Sequence, residues 1–407
     1  MSSSRRRRRR TAALCALVAL PASLTAMAPA REAAPEPAPD SVYAVALGDG
    51  FIAGEAARWK GNAEGDWAKG GVPAELRAAT DRTQAENLPL DSVYAPSASD
   101  CHRSDTAEIH GAKGAPSPHG EIAFPLNLAC SGAQTRHVLS EPYRSERPQL
   151  EQLKALLASE RTKVGYVVVS VGGSALPEAA RTCAASWKAN AYCSTDPAVT
   201  EPVLKSVKAA EQEAADTVAK VKEALAAAGS SARIVLQSYP ATLAPGDPAT
   251  TAGDEHTWNR WSTFGCPFYN RDLAWLNTEV YPALSASLKK AATAQQVSFL
   301  DVRRLPEGHE VCQKATHQAE LTTRGRVYLP SAADAQWARY FERSKTPLPA
   351  TDEAESLHPN FYGQQALRTC LSDALRKIAQ AGQNLALQCA GAQREAPTDV
   401  TATTAAG

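Results

Sequence analysis

Neither sign of charge is in surplus across the 407 residues: 43 lysines and arginines face 43 aspartates and glutamates. A balanced chain has no bulk attraction for polyanions, so neither nucleic acid nor an anionic membrane is an expected partner. No Cys-x-x-Cys pair occurs, which removes the commonest sequence form of a zinc site. No internal repeat is present, and no segment after the N-terminus supplies about 18 uninterrupted apolar residues, so no membrane span is expected. What the chain does have is 44% hydrophobic residues, enough for one large domain or two ordinary ones.

The N-terminus has the pattern of an export signal over residues 1–30. Arg5 to Arg10 form a positive region, Thr11 to Leu20 a short apolar run, and Ala26-Met27-Ala28 an A-x-A-like cleavage site. The arginine run permits the general and the twin-arginine routes alike. Cys15 lies inside the apolar run and is not read as a lipidation site. Residues 31–40 (REAAPEPAPD) are expected to be a flexible leader, and 391–407, poor in core residues, a disordered tail. The mature protein is expected to be secreted and extracellular.

Without Cys15 eight cysteines remain, an even number in an exported chain, and this suggests disulfides. Sequential pairing is the expectation: 101–130, 183–193, 266–312 and 370–389. Spacing alone leaves the connectivity open.

Between the ends, short β-rich runs alternate with helical ones. Val42–Leu47, Val164–Val171, Arg233–Ser238 and Val297–Val302 are the strand candidates, and their near-continuous apolar character suits a parallel sheet covered on both faces. Glu201–Ala228, ending at Gly229, and Leu273–Ala292 and Gly363–Ala381 are the helices. This alternation predicts an α/β fold, a three-layer doubly wound parallel sheet of flavodoxin-like type, over residues 41–390. Ligands of such sheets bind beyond the carboxyl ends of the strands.

Four short motifs sit at those ends. Gly48-Asp49-Gly50-Phe51-Ile52-Ala53-Gly54-Glu55 follows the first strand, and its glycines and aspartate suit a sharp turn. Asn127-Leu128-Ala129-Cys130-Ser131-Gly132-Ala133 and Gly172-Gly173-Ser174 follow. Glu355-Ser356-Leu357-His358-Pro359-Asn360 precedes the last helix, and a carboxylate three residues before a histidine can fix its tautomer. Any one of them is compatible with a plain turn or a packing residue. A further cluster, Trp258, Trp261, Phe264, Phe268, Tyr269 and Trp275 around Cys266, is either an apolar or sugar-stacking wall beside a pocket or a disulfide-pinned loop packing on itself.

In this order, with Cys101-His102-Arg103-Ser104 ahead of the second block, the motifs resemble the SGNH (GDSL-type) ester hydrolases, in particular the exported, disulfide-bonded actinobacterial type. The resemblance spans about residues 41 to 390. It implies an esterase or lipase mechanism without a cofactor or metal. A serine after Gly-Asp is the nucleophile, a histidine matching His358 is the base, and Glu355 or a backbone carbonyl orients that histidine. It also implies an oxyanion site formed by the backbone amide of the nucleophile position, the glycine matching Gly132, and an asparagine. Two positions depart from it: Gly50 stands where the nucleophile belongs, and Ser174 where the asparagine belongs.

Glycine has no side chain, so the acyl-enzyme route is closed at Gly50. Loss of a nucleophile costs about a millionfold in turnover in a well-studied protease, and loss of one oxyanion donor about a hundred- to a thousandfold. The expectation is an impaired hydrolase that binds a small-molecule, glycan or lipid ester, with Gly132, Ser174 and Asp49 at the binding site. Two alternatives stand beside it. One is an active esterase with a displaced nucleophile, Ser131 or Ser174, or a water positioned by Asp49, with His358 as base. The other is a metal-dependent hydrolase using Asp49, Glu355 and His358.

Overall fold

A computed structural model of the chain describes residues 41–65, 71–95, 100–341 and 354–405. The expected signal and leader, residues 1–40, lie outside the described residues.

Seven strands form the main sheet: β1 (Ser41–Gly48), β2 (Phe124–Asn127), β3 (Thr162–Ser170), β4 (Arg233–Gln237), β5 (Ser298–Arg304), β6 (Ala386–Ala390) and β7 (Ala402–Thr404). Their spatial order is β7-β6-β5-β4-β3-β1-β2. Every neighbouring pair is parallel except β6 and β7. The run β2-β1-β3-β4-β5 has the flavodoxin-like order, and the direction of winding reverses between β1 and β3.

The helices that build the two outer layers are α1 (Gly50–Ala53), α2 (Gln149–Leu157), α3 (Ala175–Lys188), α4 (Pro197–Ala227), α5 (Tyr281–Ala294) and α6 (Phe361–Ala381). Alternation along the strands assigns each layer its core. Val45, Leu47, Val167 and Val169 pack with Leu153 of α2, Ala180 of α3, Val218 of α4 and Leu288 of α5. Their sequence neighbours Ala44, Ala46, Tyr166 and Val168 face the opposite way, onto Leu367, Leu371 and Leu375 of α6. Leu47 and Val169 are wholly buried, and each such side chain contributes about 1.5–3 kcal/mol over its exposed state. The expected α/β class and doubly wound sheet are therefore observed.

All four expected disulfides are present: Cys101–Cys130, Cys183–Cys193, Cys266–Cys312 and Cys370–Cys389. Among the described residues no helix is long and apolar enough to cross a membrane.

The chain end differs from expectation. Residues expected to be a disordered tail return to the sheet as β7, antiparallel to β6. Val400 and Ala402 are buried, and the Ala402 amide donates to Asp373 of α6 at 2.9 Å. The three buried residues there, Pro397, Val400 and Ala402, give no periodic signal, so pairing with β6 decides the outcome. The helix expected at 273–292 is composite: Asn270–Trp275, a π-helical turn Leu276–Val280, then α5. Pro282 lacks an amide hydrogen, and the wider turn just before it relieves the ladder there.

Candidate active site

The site forms where the winding reverses, at the ends of β1 and β3. The backbones approach so closely there that a Cβ on Gly48 would lie 2.1 Å from the Ser170 carbonyl oxygen, which leaves glycine as the residue that fits. The Gln149 side chain closes the end of β1, accepting from the Gly48 amide at 2.7 Å and donating to its carbonyl at 2.8 Å.

Asp49 then caps α1, its Oδ1 accepting from the Phe51 amide at 3.1 Å. Its other oxygen accepts from the Tyr239 hydroxyl at 2.7 Å. Burial raises the Asp49 carboxyl to about 6, against the lowering effect of those two donors.

A Cβ on Gly50 would lie 2.9 Å from His358 Nε2 and 3.5 Å from Glu55 Cβ. The imidazole thus occupies part of the space that a side chain at position 50 would need. His358 Nδ1 faces the Ser356 carbonyl at 3.2 Å. A carbonyl only accepts, so Nδ1 carries the proton and Nε2 presents a lone pair toward residue 50. Burial lowers the His358 pKa, opposed by the charge of Glu55. The ring packs 4.4 Å from that of Phe51.

Glu355 does not orient this histidine. Its carboxylate accepts from Arg58 Nε and Nη2 at 2.7 and 3.0 Å, from Trp59 Nε1 at 2.7 Å and from the Tyr94 hydroxyl at 2.8 Å. Four donors occupy it, so the carbonyl, the second of the two expected orienters, stands at Nδ1. Asp49 and Glu355 consequently do not converge on His358 as a metal site would require. Among the described residues no group of three His, Cys, Asp or Glu converges to hold a metal.

Gly132 lies in the loop after β2, which the Cys101–Cys130 disulfide ties to the segment carrying His102. The Cys130 amide donates to Gly48 O at 3.1 Å and the Ser131 amide to Cys101 O at 3.0 Å. Gly132 has φ +76°, and a Cβ there would lie 2.8 Å from the Tyr143 hydroxyl. Neither the Gly50 nor the Gly132 amide meets an acceptor among the described residues. Ser174 precedes α3, exposed, and makes no side-chain cap bond.

Asp49, Ser131, Gly132, Ser174 and His358 line one cleft of about 230 Å³, and Gly50 adjoins it beneath His358. Its aromatic lining is Phe51 and Phe341. The cluster around Cys266 is elsewhere: Trp261 and Tyr269 bury with Trp187, and Trp258 stacks on Trp187 at 5.6 Å. Phe268 and Trp275 join the main core, and Phe264 lines a separate cavity, so none of the six is on the lining of this cleft, although Phe268 packs edge-on behind Phe341.

Sequence reasoning assigned no role to Glu55 and His102. Glu55 is fully buried and bonded to His102 Nδ1 at 2.7 Å. Burial acts to raise Glu55 and to lower His102, but their mutual hydrogen bond and charge outweigh it, so Glu55 titrates below and His102 above its ordinary value. Tyr94 stacks on His102 at 4.7 Å. Both residues stand in the quoted motifs, but only the fold brings them together. Arg144 and Arg181, which also line the cleft, carried no signal at all.

No protein-family model matches the chain, and no curated protein matches it. Among solved structures it is similar to an extracellular lipase from Streptomyces rimosus, with 20% identity and a TM-score of 0.42 over 80% of this chain and 94% of that one. It is also similar to phospholipase A1 from Streptomyces albidoflavus NA297, with 16% identity and a TM-score of 0.43 over 83% and 98%. A carbohydrate acetylesterase from Sinorhizobium meliloti is more distant, with 11% identity and a TM-score of 0.27 over 64% and 84%.

Proposed function

We propose that this chain is a secreted protein of SGNH hydrolase descent, with lost or greatly reduced esterase activity, that binds an extracellular ester, glycan or lipid in the cleft. One observation carries the reading: residue 50 adjoins the His358 Nε2 lone pair, and it has no side chain to be activated. The two unpaired amides and the apolar flank of Phe51 and Phe341 support retention of a binding role. Four disulfides support an oxidising, extracellular setting.

Restoration tests it. Gly50→Ser, alone and with Ser174→Asn, is assayed on short-chain nitrophenyl esters beside the unaltered protein. The unaltered protein stays near background, Gly50→Ser rises above it, and the double variant exceeds Gly50→Ser by about a hundredfold, the scale of one oxyanion donor. Turnover by the unaltered protein at ordinary enzymatic rates defeats the reading.

A displaced nucleophile is the second reading, and its basis is that Ser131 lines the same cleft next to Gly132. A fluorophosphonate probe separates the two. Covalent labelling at any single serine favours the enzyme, and no labelling favours the binder.

A further inference from the structure

We propose that the cleft is built for an anionic headgroup, the carboxylate of a small aliphatic acid, in preference to the neutral ester. The proposal rests on the binding role above and names the ligand of that same site.

Arg144 carries the argument. It sits in a two-residue turn, Arg144 with φ +47° and Ser145 with φ +63°, both left-handed and neither glycine. Reciprocal backbone bonds between Tyr143 and Glu146, at 3.0 and 2.9 Å, close the turn. Turns of this type favour asparagine and glycine, and strain kept at a cleft is a motive to look for function there. The strained turn delivers a guanidinium: Arg144 Nη2 lies 3.7 Å from the point where a Cβ would project from Gly132. Arg144 donates through Nη1 to the Asp100 carbonyl and has no carboxylate partner among the described residues.

Other features of the cleft point the same way. Arg181 adds a second guanidinium to the lining, held 3.2 Å from Glu178 in an exposed pair that a ligand can displace. The unpaired Gly132 amide adds a neutral donor. Among the described residues Asp49 is the one carboxylate on the lining, and the Tyr239 hydroxyl and Phe51 amide occupy it. Two cations and an amide thus face a cleft whose remaining wall, Phe51, Phe341 and Leu357, suits a hydrocarbon chain. A carboxylate takes bidentate bonds from guanidinium; a neutral carbonyl leaves that charge unmatched.

Calorimetric titration of the full chain with hexanoate and with its neutral isostere hexanamide tests the assignment. Hexanoate is expected to bind at least tenfold more tightly. Arg144→Gln and Arg181→Gln are each expected to weaken hexanoate at least fivefold and to leave hexanamide unchanged, while Arg144→Lys retains part of the preference. Thermal unfolding of each variant confirms that it is folded. Equal or tighter binding of hexanamide, no binding of hexanoate at millimolar concentration, or unchanged hexanoate affinity in folded Arg144→Gln would overturn the proposal. Ester turnover by the unaltered protein, measured separately, bears on the loss of catalysis alone, so the two failures are distinguishable.

Discussion

At position 50 the neighbour that a new side chain meets is the tip of an imidazole, which can swing aside. At Gly132 it is a tyrosine hydroxyl, with a left-handed backbone as well, and at Gly48 it is the Ser170 carbonyl, which is backbone and cannot yield. The stability cost is therefore ordered. Gly50→Ser is expected to cost less than about 1 kcal/mol and Gly132→Ala about 1–3 kcal/mol, with Gly48→Ala costing more than either. Urea unfolding of the three variants measures the order, and equal costs at positions 48 and 50 would contradict it. Glu355 has a different kind of consequence. Replacing it with alanine removes one of the two carboxylates that the Arg58 guanidinium meets, on a side chain only 12% exposed, and leaves Asp81 accepting from it at 2.6 Å. The expected loss is about 3 kcal/mol, the lower end for breaking a buried pair, and it appears in unfolding curves without any change in the protonation of His358.

The disulfide from α6 to β6 and the antiparallel return of β7 make the chain end a working part of the sheet. Ending the chain after Ala390 removes buried Val400 and Ala402 and exposes the β6 edge. A loss of about 2–4 kcal/mol is expected, with increased aggregation from the unpaired edge, and light scattering alongside urea unfolding checks both. β1, β3, β4 and β5 were legible because their runs are apolar and buried on both faces, and α4 because its apolar residues recur at helical spacing up to Gly229, although its start at Asp196 and Pro197 lies before the expected Glu201. β2 was not legible: Phe124-Pro-Leu-Asn is four residues with a proline, and it is a strand because β1 offers an edge. The motif glycines and His358 were equally visible, since turns and bases need particular residues. The engagement of Glu355 by Arg58, Trp59 and Tyr94 was invisible, because those partners stand some 260 to 300 positions away and ordinary spacing rules do not reach them.

Across the whole molecule, three buried carboxyls set the pH response. Burial raises Asp49 to about 6, Glu310 to about 7 and Glu108 to about 8. Between about pH 4 and 8 these carboxyls keep protons that their unfolded counterparts have released, so their contribution to stability falls as pH rises through that window, while the histidines that burial lowers, His110, His137, His309 and His358, act in the opposite sense. Of the Glu55–His102 pair, Glu55 opposes the three carboxyls at the acid edge, whereas His102 adds to their effect at the alkaline one. The Glu55 contribution is lost as pH falls below its ordinary value, and the His102 contribution as pH rises above its own. Glu108 is the largest lever: Gln237 Nε2 donates to both its oxygens at 2.8 and 2.9 Å, while Gln237 Oε1 meets no partner among the described residues. Glu108→Gln supplies an amide donor and removes the buried charge. It is expected to stabilise the protein at pH 8 by a few kcal/mol, on the order of the linkage from such a shift, and to matter little at pH 4. Urea midpoints at the two pH values decide it, and a variant less stable at pH 8 would refute the assignment.

The reversal of winding between β1 and β3 has an evolutionary consequence. The cleft borrows one piece from each of several strand ends, and each piece is anchored by its own strand, cap or cystine. Such a shape tolerates a change in any one piece while every neighbouring loop keeps its posture, so a single codon can alter what the cleft does without altering where it is.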